Sequence, residues 1–412
     1  MKIGNFASKY NVSIDTVRHY MNIGLIYPEK RGGWYEFDEN CEFLMSKILR
    51  YKEMGFSLEE IHDLLNFQRL SLMNIKSDLD YFRNKFTTKI QSLEQEKLFI
   101  DQKIGFIHSL IERIDNYSQE IVDRKKIGIP LNALHLFQCP RCGHPFSIQS
   151  ANIENNMILE GILDCQCQEK WRVKDGILVD SSSAVNVRDY TEEELDERST
   201  IVKARYHEYT SKKFLDFLFQ GIEWQRKRLV DQMQAKSVIV EVGIAHGIAL
   251  GNFYDILPVD CTYIGIEHDF EKLLYAKTMI ETEKNPERVI FVCSDLSNIP
   301  IKPKTADFII DFAGTFYYHY SNNNWNISST KSTLKSNGKW IGSYLFYPKH
   351  SDLLKYEEPF RTVLDLKNIK KDFLTNQLTI FQDKIIGPVS ESGQYEIFKS
   401  GLELYQYCMI AR

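Results

Sequence analysis

Between Leu72 and Ile121 an apolar residue returns at every seventh position: Leu72, Leu79, Phe86, Leu93, Ile100, Ile107, Ile114 and Ile121. Ile90, Ile104 and Ile111 fill the companion position four residues later in three of the turns, and Lys, Glu, Gln and Arg take most of the rest. That period is the pattern of a coiled-coil seam, in which one helix lies along another. About 50 residues of helix would reach on the order of 75 Å, with Gly105 as the place for a bend or a break. A second copy of the chain is the partner the seam suits, giving a homodimer joined over 71–128; a helix packed on its own domain is the alternative.

On the N-terminal side, Ile3, Phe6 and Ala7 fit one face of a short helix, and Asn11-Val12-Ser13 makes a turn. Ser13 is placed to cap a second helix over 14–22, whose apolar positions Ile14, Val17 and Met21 recur at helical spacing. Gly24 ends that helix. The segment RGGWYEFD (31–38) suits a tight hairpin. Two further helices fit between Glu39 and Leu65, the second opened by a Ser57/Glu60 capping box. The whole chain carries a net charge of −5, which gives no sign of a nucleic-acid partner. Residues 1–35 differ: Lys2, Lys9, Arg18, Lys30 and Arg31 against Asp15 and Glu29 leave +3.

The stretch over 1–70 resembles the MerR family of transcription regulators, through KIGNFA, VSIDTVRHY, IGLI, the hairpin and MGFSLEEIHDLL. The resemblance implies an α-helical winged helix-turn-helix with its second helix in the major groove of double-stranded DNA and its wing on phosphates. Carried over position by position, Ser13, Thr16, Arg18, His19 and Tyr20 would face DNA, and Arg31, Trp34 and Tyr35 would serve the wing. The family often has an arginine after the wing aromatic, where this chain has Tyr35. Regulators of this kind dimerise through a helix in the position of the seam and act with RNA polymerase at a promoter.

Of eight cysteines, four cluster on the other side of the rod. Cys139-x-x-Cys142, with Pro140 and Gly143, makes a knuckle that turns two thiolates toward one ion, and Cys165-x-Cys167 supplies a second pair. Four thiolates close a tetrahedral zinc site with no open position, so its role would be structural. The second pair is one residue tighter than the usual knuckle, and His144 is the stand-in ligand should one thiolate point away. The ending WRVKDGILVD resembles the small zinc ribbon that accompanies some methyltransferases, so a small β module is expected over 133–180. A linker and helical segment would follow over 181–236.

Next comes VIVEVGIAHGIAL (238–250), an apolar strand running into a glycine-punctuated loop. Its G-x-A-x-G spacing fits neither a dinucleotide fingerprint nor a P-loop. The pattern E-x-G-x-(G/A)-x-G resembles motif I of class I S-adenosylmethionine-dependent methyltransferases, and four later segments keep the order of that fold: TYIGIEHD, VIFVCSDLSNIPI, ADFIIDFAGTFYYH and LKSNGKWIGSYLF. The resemblance implies an α/β Rossmann-like domain over 237–412. In it Glu241, Gly243, Ala245 and Gly247 form the cofactor loop, Glu267 takes the ribose hydroxyls, and Asp295 with Leu296 takes the adenine. His319 is the candidate general base. The chain is thus expected to be multidomain: a regulator whose C-terminal part binds S-adenosylmethionine or a related small-molecule effector. The alternative is an active methyltransferase of a small molecule or RNA that regulates its own expression. No stretch approaches the ~18–20 apolar residues of a membrane span, and the absence of a signal pattern gives the cytoplasm as the expected location.

Overall fold

The computed structural model describes residues 1–71, 75–120, 124–180, 191–230, 232–316, 327–358, 360–394 and 398–412. The chain forms two compact units, Met1–Glu120 and Ile121–Arg412.

The first unit runs α1 (Ile3–Lys9), α2 (Ile14–Asn22), β1 (Glu29–Arg31), β2 (Trp34–Glu36), α3 (Glu39–Glu53), α4 (Leu58–Leu70) and α5 (Lys76–Glu120). Its helices begin where a side chain satisfies free amides: Ser13 accepts from Thr16, Asp38 from Cys41, and Ser57 with Glu60 forms the expected capping box. Gly32 and Gly33, at φ +55° and +87°, make the two-residue turn that pairs Arg31 with Trp34. Phe6, Val17, Tyr20, Phe37, Met45, Ile48 and Ile61 build the core, with Phe6 stacked on Phe37 at 4.4 Å. Ile14 was expected on the inner face of α2 but stands 40% exposed. Tyr20 fills that face instead, three residues on from Val17.

Helix α5 is continuous through Gly105 for 45 residues, a length of about 68 Å. Its first turns pack on the helical module: Phe82 is buried, Tyr81 stacks on Phe67 at 3.8 Å, and Phe86 meets Phe56 edge-on at 5.7 Å. Past that point the seam is uncovered, with Leu93, Ile100, Ile107 and Ile114 between 43% and 67% exposed. Leu72 and Ile121 lie outside the described residues.

The second unit is organised by one sheet. Its strands are β3 (Ile129–Pro130), β4 (Ser147–Glu154), β5 (Met157–Asp164), β6 (Lys170–Lys174), β7 (Ile177–Asp180), β8 (Val238–Val242), β9 (Thr262–Glu267), β10 (Val289–Cys293), β11 (Ala306–Phe312), β12 (Leu334–Phe346), β13 (Ile380–Val389) and β14 (Leu404–Ala411). Helices α6 (Glu192–Tyr209) and α7 (Lys212–Val230) precede β8, α8 (Ile248–Phe253) follows it, and α9 (Phe270–Ile280) joins β9 to β10. The strand order is β13-β14-β12-β11-β8-β9-β10-β7-β6-β5-β3, with β4 on β5. From β12 to β10 all neighbours are parallel, and β14 lies antiparallel to β12. Taken from β8 onward, the seven strands have the order 3-2-1-4-5-7-6 with only the seventh reversed, which is the class I methyltransferase-like fold. The five segments singled out in the sequence are its first five strands.

The cysteine-bearing strands are not a separate body. Strand β7, buried along its whole length, pairs in parallel with β10 (Leu178 with Val292, Val179 with Cys293) and carries the sheet onward into β6, β5 and β4. An uninterrupted apolar run such as ILV is what a strand covered on both faces requires. The 181–236 stretch is likewise more than a connection, since Phe214, Phe217, Ile222, Trp224 and Leu229 of α7 are in the core.

Candidate functional site

In the first unit, α2 presents a polar face whose groups are partly engaged with one another. Ser13 Oγ accepts the Thr16 N–H at 2.9 Å and shares a hydrogen bond with Thr16 Oγ1 at 2.8 Å. Arg18 reaches Asp15 at 3.2 Å, with side chains 63% and 88% exposed. A pair that open to solvent holds the guanidinium weakly, so Arg18 is available, and His19 is exposed beside it. Tyr20 corrects the expected set: it is 1% exposed in the core, and its hydroxyl accepts from Lys52 at 3.4 Å. Val17 and Tyr20 share the inner face, so at three residues' spacing Tyr20 cannot share the outer one. On the wing, Arg31 pairs with Glu29 at 2.9 Å and Glu36 at 3.7 Å. Trp34 is 67% exposed under the Lys2 ammonium at 5.1 Å, and Tyr35 lies 5.9 Å from Lys30. Arg69 was not singled out from the sequence. It donates to the Leu25 carbonyl at 3.2 Å and lies over the exposed Tyr27 ring at 4.8 Å, tying α4 to the loop after α2.

The four cysteines of the second unit come together, every sulfur within 4.8 Å of the others. Cys139 and Cys167 are 3.6 Å apart and Cys142 and Cys165 3.2 Å. A tetrahedron of Zn–S bonds near ~2.3 Å needs sulfurs roughly 3.8 Å apart, so the cluster fits one such ion. His144 is not in the cluster; its carbonyl accepts the Cys139 N–H at 2.9 Å and closes the knuckle. The first knuckle is a four-residue turn, Gly143 N–H to Cys139 O, whereas Gln168 N–H closes the second on Cys165 O after three residues. Gly143 and Gln168 both adopt positive φ, so the shorter spacing costs the second pair no thiolate. The backbone at His144 draws the Cys142 thiol down to about 6, while burial pushes Cys139 up to about 12.

A cavity of about 1120 Å³ opens at the carboxyl ends of β8, β9 and β10, and Glu241, Gly243, Ala245, Gly247, Glu267, Asp295 and Leu296 all line it. Sheet order makes this the place: connections from β8 and β11 leave in opposite directions, and the crevice between them is where open α/β sheets bind ligands. The loop after β8 is tightly constrained. Gly243 has φ +68°, and a Cβ on it would stand 2.4 Å from the Gly314 Cα. Gly247 has φ +78° at the start of α8, and Ala245 itself holds φ +48°, unusual for a residue with a side chain.

Glu267 sits at the tip of β9 with 6% exposure. Its Oε2 accepts the Ala245 N–H at 3.1 Å, and its Oε1 accepts the His268 and Asp269 N–H groups at 2.9 and 3.2 Å. Burial alone would raise this carboxyl; the His268 imidazole at 2.6 Å and the nearby Lys272 outweigh it and hold it below the usual range. The same contact raises His268 above the ordinary histidine value. Asp295 accepts from Ser297 N–H at 2.7 Å, which orients it in the loop after β10, and Leu296 is buried next to it.

Glu241 also lines the cavity, yet is 1% exposed and takes the Tyr263 hydroxyl at 2.6 Å. Burial pushes it up to about 8, against the Tyr263 bond. Asp311, at the end of β11, is buried too and accepts from Thr315 N–H at 3.1 Å and the Tyr344 hydroxyl at 2.7 Å. Burial pushes it up to about 6. This network fixes the turn that carries Gly314 and was not legible as such in the sequence. His319 lies outside the described residues.

Residues 1–68 match the family model described as MerR HTH family regulatory protein. The chain is similar to an HTH-type transcriptional regulator ZntR homolog of Haemophilus influenzae, 33% identical over 98 residues, spanning 23% of this chain and 73% of that one. It is also similar to the HTH-type transcriptional regulator YfmP of Bacillus subtilis, 30% identical over 122 residues, spanning 28% of this chain and 87% of that one. Among solved structures, a SAM-dependent methyltransferase from Aquifex aeolicus superposes with a TM-score of 0.35 at 11% identity, over 54% of this chain and 100% of that one. The methyltransferase-like fold of the second unit is carried by its own strand order. With its regulator module matched along most of the length of both regulators, the chain belongs to the MerR HTH family of regulatory proteins.

Proposed function

We propose that this protein is a dimeric, DNA-binding transcription regulator whose second unit binds S-adenosylmethionine. The observation that carries the cofactor is the convergence of seven residues from three successive strand ends on one cavity. Glu267 would hold the ribose, Asp295 and Leu296 the adenine, and the amides of the 243–247 loop the amino-acid end. The cofactor, when bound, supplies an electrophilic methyl group. For methyl transfer the protein's part is chiefly positioning, so acid and base groups at the cavity do not by themselves decide between sensing and catalysis. Zinc on Cys139, Cys142, Cys165 and Cys167 would be structural, because four thiolates leave no open position.

Arg18, His19 and the hydroxyls of Ser13 and Thr16 stand on the outer face of α2, and Arg31, Trp34 and Tyr35 on the wing; these would meet operator DNA. The uncovered seam of α5 would pair with a second copy, giving two recognition helices for two half-sites, with RNA polymerase as the partner at the promoter. The second reading is a working methyltransferase, and a cavity of about 1120 Å³ has room for a second small molecule beside the cofactor under either reading.

Calorimetric titration of the full-length protein with S-adenosylmethionine tests the cofactor. We expect saturable one-site binding that Glu267→Ala weakens at least about tenfold, as expected when charge-assisted hydrogen bonds are lost. No heat of binding in the wild type would sink both the sensor and the enzyme. Transfer of radiolabelled methyl groups to cell extract, with Gly243→Arg as control, then separates the two.

A further inference from the structure

The cavity has two sides of different chemistry. Beyond β8 toward β9 and β10, Glu267, His268, Lys272 and Asp295 bring charge. On the other side, toward β12 and β14, the wall is made by α7 and the strand ends, with Phe214, Leu218, Ile222, Phe312 and Leu345 facing the space. Helix α6 adds Lys203 and His207, both exposed to solvent.

Two polar side chains stand in this apolar wall, Ser343 of β12 and Gln406 of β14. Gln406 is 1% exposed; its Nε2 donates to Ser343 Oγ at 2.6 Å, and its Oε1 has no partner. An unpartnered buried carbonyl oxygen is destabilising, a cost that an apolar side chain of the same shape would avoid. The neighbouring helix makes room for this amide. Gly221 lies in the middle of α7, and a Cβ there would stand 2.2 Å from Gln406 Nε2 and 2.5 Å from Oε1. A mid-helix glycine is itself unfavourable relative to alanine. Two local costs thus meet at one spot on the wall of a ligand-sized cavity, and a bound hydrogen-bond donor would offset the first.

We propose that this side of the cavity binds a neutral, predominantly apolar small molecule bearing one hydroxyl or N–H group, whose proton Gln406 Oε1 accepts. This inference rests on the second unit being a small-molecule-binding domain and names the class of its second ligand, whether effector or methyl acceptor. At Gln406 itself a carboxylate or ammonium would lose its hydration against α7, β12 and β14 side chains that carry no charge, Lys203 and His207 standing on α6 instead.

The test uses the full-length protein and three probes of one shape: 1-naphthol, 1-methylnaphthalene and 1-naphthoate, titrated by protein fluorescence. S-adenosylhomocysteine is titrated separately on the same preparation. The expected result is 1-naphthol bound about five- to tenfold tighter than 1-methylnaphthalene, the worth of one neutral hydrogen bond, with 1-naphthoate weakest. Gln406→Met should erase that preference while leaving S-adenosylhomocysteine binding unchanged. Equal affinity for 1-naphthol and 1-methylnaphthalene in the wild type, tightest binding of 1-naphthoate, or a Gln406→Met protein that keeps the preference would each overturn it. Binding of S-adenosylhomocysteine without naphthol discrimination leaves the cofactor site standing and removes this inference; the reverse pattern removes the cofactor and supports the wall.

Discussion

Glycine 314 and glycine 243 touch back to back, so neither position has room for a side chain. A Cβ on Gly314 would stand 1.9 Å from the Val242 carbonyl oxygen. Gly314→Ala is therefore expected to separate the loops after β8 and β11, lowering the melting temperature by several degrees and abolishing S-adenosylmethionine binding; calorimetry and a thermal melt check both. Glu241 gives a pH signature. Its folded value of about 8 lies above the ordinary 4.5, so between those limits the folded state holds a proton that the unfolded state has released. Stability is then fully present below about 4.5 and lost as pH rises toward 8, by a few kcal/mol at most. Asp311 acts in the same sense between 3.8 and about 6. Urea unfolding at pH 6 and pH 8 should show the wild type weaker at pH 8 and Glu241→Gln losing less, the raised His268 acting in both; an equal loss in the two proteins would count against the buried, protonated carboxyl. Gly243 could be picked out from the sequence because motif spacing is local. Gly314 and the Tyr263 and Tyr344 partners could not, because each depends on a contact between segments far apart in the chain.

Among elements, the cysteine strands show most clearly how local pattern and sheet assembly divide the information. Ligand spacing brought out the knuckles, and Gln168 explains why the shorter one still closes. Nothing in the spacing says that β7 joins β10, since an apolar four-residue strand carries no label for its neighbour. Cys165→Ser is expected to remove one equivalent of bound zinc per chain, read by elemental analysis, and to open β4 and β5 to limited proteolysis. Retention of a full equivalent would mean that the four sulfurs do not share an ion. Helix α2 makes the complementary point. Its period was plain, but the buried face runs through Val17 and Tyr20 and leaves Ile14 exposed.

For the whole molecule, the proposed dimer rests on the exposed seam of α5. Replacing Ile100 and Ile107 with Glu should give a monomer in sedimentation equilibrium and lose retention of a two-half-site operator fragment, while leaving S-adenosylmethionine binding intact. A dimer that survives both changes would place the partner surface elsewhere. The regulator module, the rod and the methyltransferase-like sheet were readable from periodicity and motif order; the continuity of that sheet into the strands that flank the cysteines was not. That continuity reaches the cofactor side directly. Asp180, the last residue of β7, accepts from the Asn298 side chain at 2.5 Å, and Gln138 N–H bonds the Pro300 carbonyl at 2.8 Å, so the strands and loops around the cysteines brace the segment that carries Asp295 and Leu296. If the four cysteines hold an ion as proposed, its loss would loosen support for the segment that carries Asp295 and Leu296, and the proposed adenine site would be only as firm as the fold around the metal.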